Sequence, residues 1–74
     1  MDQISNRLAT FIKAKRKERG LTQERLAVLT AIEYKHIQNL ESYKRVNDPK
    51  LSTLIKLATA FEVSVSDLVD YIVH

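Results

Sequence analysis

Residues 22–41, TQERLAVLTAIEYKHIQNLE, decide the fold. Apolar residues recur there at helical spacing in two short runs. Leu26 and Ala27 mark the inward side of the first; Ile37 and Leu40, three apart, mark that of the second. Only Thr30-Ala31-Ile32 lies between them, room for a turn and no more. Two short helices joined this tightly brace each other and turn one polar helix face outward, the shape that fits a DNA major groove. The stretch predicts a reader of duplex DNA and not an enzyme.

The flanking sequence extends the helical reading. Gly20 and Pro49 are the only residues of their kinds, and apolar residues keep recurring at three and four. A first helix is expected over residues 3–19, with Ile4, Leu8, Phe11 and Ile12 as its apolar stripe. Lys13, Lys15, Lys17 and Arg19 crowd its C-terminal half, where cations suit the helix dipole. Gly20 follows as its cap, free to take positive φ. Thr22 is placed to cap a second helix over 23–30, and a third is expected over 33–42. A polar loop, 43–50, leads through Pro49 to a fourth helix over 51–61, with Leu51, Leu54, Leu57, Ala58 and Phe61 inward. Ser64, with Asp67 three residues on, opens a last helix whose stripe is Val65, Leu68, Val69 and Ile72. The expected fold is all-α, a compact five-helix bundle in which residues 1–74 form a single helix-turn-helix domain.

Composition narrows the functional classes. The 74 residues allow one domain and a small core. No Cys is present, so neither a disulfide nor a thiolate metal site supplies stability. An acid at position 2 and the absence of a long apolar run speak against a signal peptide or a membrane span, and a cytoplasmic protein is expected. Net charge is +3, unevenly spread. Residues 1–50 carry 11 Lys/Arg against 6 Asp/Glu, a balance of +5; residues 51–74 carry 1 against 3, a balance of −2. A basic end facing an anionic partner is one reading of that asymmetry; a solvated helix face is the other.

Catalysis has little to stand on. The two His, His36 on the third helix and His74 at the last position, have no partners at ligand or triad spacing. One Gly cannot build a phosphate-cradling loop. No catalytic residue, metal, cofactor or small-molecule ligand is expected.

At 100° per residue, with Ile37 and Leu40 inward, Lys35, Gln38, Asn39 and Ser42 lie on the opposite side and Tyr34 at its N-terminal edge. Asn pairs bidentately with adenine and Lys reaches guanine acceptors; a Tyr ring meets a thymine methyl or donates to a phosphate. Gln23, at the start of the second helix, adds a donor to a natural phosphate seat. Lys44, Arg45 and Lys50 ring the following loop, where they either bracket a DNA strand or serve solubility.

Taken together, Arg16-x-x-x-Gly20-Leu21-Thr22-Gln23, Leu26-Ala27, Ile37-x-x-Leu40-Glu41, Pro49, Leu54-x-x-Leu57-Ala58 and Val63-x-x-x-Asp67-Leu68 resemble the lambda-repressor-like, Cro-type helix-turn-helix proteins, also called the xenobiotic-response-element family. The resemblance spans Arg16 to Leu68. It implies base reading by Tyr34, Lys35 and Asn39 with Gln38 beside them, and backbone contacts from Arg16, Gln23, Lys44 and Arg45. It also implies a structural bridge between Arg16 and Glu41. The chain departs from the family where Gly is favoured in the turn, after the third helix and after the fourth; Ala31, Tyr43 and Glu62 stand there. Positive φ at any of them costs about 1 kcal/mol. Glu33 in place of Ser or Thr weakens the cap of the third helix, and the loop around Val46-Asn47-Asp48 is about one residue longer than usual.

The resemblance implies a small bacterial or phage transcriptional regulator, such as a restriction–modification controller protein or phage repressor, dimeric on an inverted-repeat operator. Val69, Tyr71, Ile72 and Val73 offer more apolar surface than one core stripe needs, and a homodimer through them is expected; their alternative is simply to close the core. A protein-interaction module or an autoregulatory antitoxin on the same fold is the rival. The polar, non-acidic outer face of the third helix favours DNA.

Overall fold

The computed structural model describes residues 3–44 and 48–74, and among these it contains five α-helices and no strand. In chain order they are α1 (Gln3–Glu18), α2 (Gln23–Thr30), α3 (Tyr34–Leu40), α4 (Leu51–Phe61) and α5 (Val65–Val73). The third helix is shorter than its expected span: Glu33 and Glu41 stand at its ends as N-cap and C-cap.

The helices stop where the chain can leave helical φ. After α1, the Leu21 amide donates to the Arg16 carbonyl at 2.9 Å and the Gly20 amide to that of Lys17 at 3.0 Å, with Gly20 at φ 67°. This pair of bonds satisfies carbonyls that a helix end leaves unpaired. The same pair closes α4, Val63 to Ala58 at 3.0 Å and Glu62 to Thr59 at 3.2 Å, but the left-handed position is Glu62 at φ 58°. Arg19 reinforces that end: one guanidinium nitrogen donates to the Phe61 carbonyl at 2.7 Å and another to Glu62 at 2.9 Å.

The turn between α2 and α3 uses a side chain in place of one backbone bond. Ala31 is left-handed at φ 58°. The Ile32 amide donates to Thr30 Oγ1 at 3.2 Å, and that hydroxyl donates to the Leu26 carbonyl at 2.8 Å. A buried turn amide is thereby satisfied at no cost in length. Tyr43 is not among the residues with positive φ, so only two of the three non-Gly positions carry backbone strain. Ala31→Gly is expected to stabilise the fold by about 0.5–1 kcal/mol, the relief of a left-handed Cβ less the entropy that Gly returns to the unfolded chain. Thermal denaturation reads this as a rise of a few degrees; a fall would mean that the turn is unstrained.

Start signals behave as side-chain chemistry requires. Thr22 Oγ1 accepts from the Arg25 amide at 3.0 Å, and Ser64 Oγ from the Asp67 amide at 2.9 Å. Glu33 makes no side-chain cap bond, and neither does Lys50 before α4.

The core joins all five helices through Leu8, Phe11, Ile12, Leu26, Ile37, Leu40, Leu54, Leu57, Phe61, Leu68 and Ile72, with Ile32 from the turn. Phe11 meets Phe61 edge-on at 6.1 Å and Tyr71 at 5.2 Å, so α1 is held by α4 and α5 together. Three expectations need correcting. Ile4 and Leu51, read as inward, are 45% and 64% exposed. Both lie in the first turn of their helices, before the packed part begins. Ile72, read both in the apolar stripe of the last helix and in a dimer surface, is 4% exposed and packs inward with Leu68 one turn earlier, which keeps the first reading and removes the second.

Candidate nucleic-acid interface

With Ile37 and Leu40 fully inside, α3 has a fixed rotation about its axis. Tyr34, Lys35, His36 and Gln38 are exposed, and Asn39 is half-buried. Four of the seven residues of this helix therefore face solvent, Lys35 and Gln38 across from its two core anchors and Tyr34 and His36 on the flanks.

Two devices hold the helix still. The first is the Thr30 turn, which ties its N-terminal approach to α2. The second is a polar knot at its other end. Glu41, only 2% exposed, accepts from Arg16 Nε at 2.9 Å and from Arg16 Nη2 at 3.0 Å, a bidentate pair across α1 and the end of α3. Arg16 Nη1 donates to the Leu21 carbonyl at 2.9 Å. Gln23 joins the knot, its Nε2 donating to Glu41 Oε1 at 3.2 Å. One carboxylate thus gathers α1, the first residue of α2 and the end of α3. No buried side-chain polar atom among the described residues lacks a partner.

This knot changes the roles open to two residues. Arg16 spends three of its five N–H groups inside the protein, leaving two for a phosphate. Gln23 presents its NH₂ to Glu41, which fixes the amide rotamer; its second N–H remains. The link from Gln23 to Glu41 was not legible in the sequence, because the two residues are 18 apart and either reads as a surface polar residue alone. Spacing gave no signal for it.

The remaining positions fall as follows. Lys44 is exposed, its amide donating to Ser42 Oγ at 3.2 Å, and Lys50 is exposed before α4. Arg45, Val46 and Asn47 lie outside the described residues, so neither the phosphate role read for Arg45 nor the path of the longer loop is described. On α5, Tyr71 and Val73 are exposed and Val69 half-buried, while Ile72 is inside. The Tyr71 ring has Arg7 over it at 5.3 Å, and Arg7 Nε donates to the Tyr71 carbonyl at 2.8 Å.

A braced helix pair with one polar face turned outward is the arrangement of a helix-turn-helix. The helix-turn-helix family model matches residues 12–68, and the chain belongs to that family, the Cro-type, lambda-repressor-like branch of DNA-binding regulators. No curated protein and no solved structure matches it. Family and fold agree on an all-α protein that binds double-stranded DNA and regulates transcription. No helix among the described residues is long and apolar enough to cross a membrane.

Proposed function

We propose that the protein is a sequence-specific transcriptional regulator, a repressor in the manner of a phage or restriction–modification control protein, that works in the bacterial cytoplasm as a homodimer on an inverted-repeat operator. Residues 1–74 act as one domain. The observation that carries this reading is the outward face of α3, Tyr34, Lys35 and Gln38 with Asn39 at its edge, on a helix whose rotation is set by Ile37 and Leu40. Each subunit lays α3 in a major groove and reads base edges from it. Gln23, Lys44 and Arg45 grip phosphates on either side and set the register without reading sequence. Arg16 contributes chiefly by holding Glu41.

The dimer contact is assigned to the outer side of α5, where Val69, Tyr71 and Val73 remain once Ile72 is given to the core. A second apolar pair, Leu51 and Ile55 one turn apart on α4, is also exposed. Two-fold symmetry in the protein demands two-fold symmetry in the target, with half-sites about one helical turn (~34 Å) apart.

Selection of bound duplexes from a random pool, followed by sequencing, tests the whole reading. A palindromic motif with that spacing is the expected product. A single unpaired motif would remove the dimer, and recovery of random sequence would remove specific reading altogether.

A further inference from the structure

The end of α3 is tied to α1 at a second place besides the Arg16–Glu41 bridge. Tyr43, three residues past the last residue of α3, lies with its hydroxyl 2.8 Å from Thr10 Oγ1. Lys13 Nζ sits 4.4 Å from the centre of the Tyr43 ring. Thr10, Lys13 and Arg16 follow one another at three-residue steps, so they form one row along the flank of α1 that meets the end of α3.

This cluster has unspent capacity to bind an anion. The two hydroxyls carry two hydrogens and use one between them, so one O–H always points elsewhere. The ring face attracts the Lys13 charge but offers its three N–H groups no oxygen. Among the described residues no carboxylate pairs with Lys13; the ion pairs are Lys15–Glu18, Arg16–Glu41 and Arg19–Glu62. Exposed Lys44 is the next residue in the chain after Tyr43. Positive charge and free donors therefore collect beyond the C-terminal end of α3, beside the face proposed to enter the groove.

The geometry points to a phosphate seat made by the Lys13 ammonium and the Thr10–Tyr43 hydroxyl pair, through which the flank of α1 grips the DNA backbone outside the helix pair. The ring of Tyr43 keeps Lys13 in place, and its hydroxyl shares the anion. The inference rests on the DNA-binding reading and deepens it.

The test is the salt dependence of binding, measured on a mixed-sequence duplex and on a selected one, for the wild-type chain, Lys13→Gln and Tyr43→Phe. Each phosphate neutralised contributes about 0.9 to the slope of log affinity against log salt. Lys13→Gln is expected to shallow the slope by about that amount on both duplexes, with the melting temperature unchanged. Tyr43→Phe keeps the charge and the ring, so it is expected to weaken binding severalfold at an unchanged slope. A wild-type slope in Lys13→Gln overturns the seat, whatever happens to affinity, because a purely structural clamp leaves the ion count alone. Undiminished binding by Tyr43→Phe removes the hydroxyls from it. Absence of salt-dependent binding by the wild-type chain would instead defeat the DNA-binding reading itself.

Discussion

Arg16→Leu is expected to destabilise the fold by about 3–5 kcal/mol, because it leaves a carboxylate in the interior with its countercharge gone. Glu41 is 2% exposed, and among the described residues Gln23 alone would remain as its side-chain donor. For a domain of this size such a loss lowers the melting temperature by more than ~10 °C. Chemical denaturation gives the free energy directly. The double variant Arg16→Met/Glu41→Leu should recover much of the loss, since a buried pair exchanged for apolar groups of similar volume is often close to neutral. A loss below about 1 kcal/mol in the single variant would place the bridge with ordinary surface ion pairs, and the knot would then not be what fixes the end of α3. Glu41→Leu alone should also be costly, since it strands the Arg16 guanidinium.

Asn39→Ala is expected to flatten base preference at one position of each half-site by about 1–3 kcal/mol, roughly 5- to 150-fold in relative affinity. Anisotropy titrations on the selected operator and its single-base variants measure it. Gln23→Ala provides the contrast: loss of a residue bonded to Glu41 and proposed to grip a phosphate should weaken every duplex alike. If Asn39→Ala also lowered affinity by one common factor on all sequences, Asn39 would be a structural or backbone residue, and reading would rest on Lys35 and Gln38. A Gln23→Ala variant with an altered sequence preference would break the division between gripping and reading.

Much of the architecture was legible because local signals and apolar periodicity agreed. Gly20, Thr22 and Ser64 marked helix ends through their own backbone or hydroxyl chemistry, and Ile37 with Leu40 set the rotation of α3. Periodicity misled at Ile4 and Leu51, which continue an apolar series into first turns that no neighbouring helix covers. At Ile72 it was right, since the α5 stripe includes that residue; the error was to count the same side chain toward a dimer surface as well. The polar knot was only half visible. Arg16 and Glu41 entered through family resemblance, but the bond from Gln23 depends on where the start of α2 meets the end of α3, a tertiary fact. The contact of Tyr43 with Thr10 and Lys13 spans some thirty positions of chain and leaves no periodic trace.

The hydroxyl of Thr30 has a consequence for how such a protein changes over time. It secures the corner between α2 and α3 from inside, using bonds to Leu26 and Ile32 that involve none of the solvent-facing side chains at 34, 35 and 38. Those three positions are consequently free to be exchanged without retuning the scaffold. If those side chains read bases as proposed, a small library randomised at these sites should yield folded variants with altered target preference at high frequency.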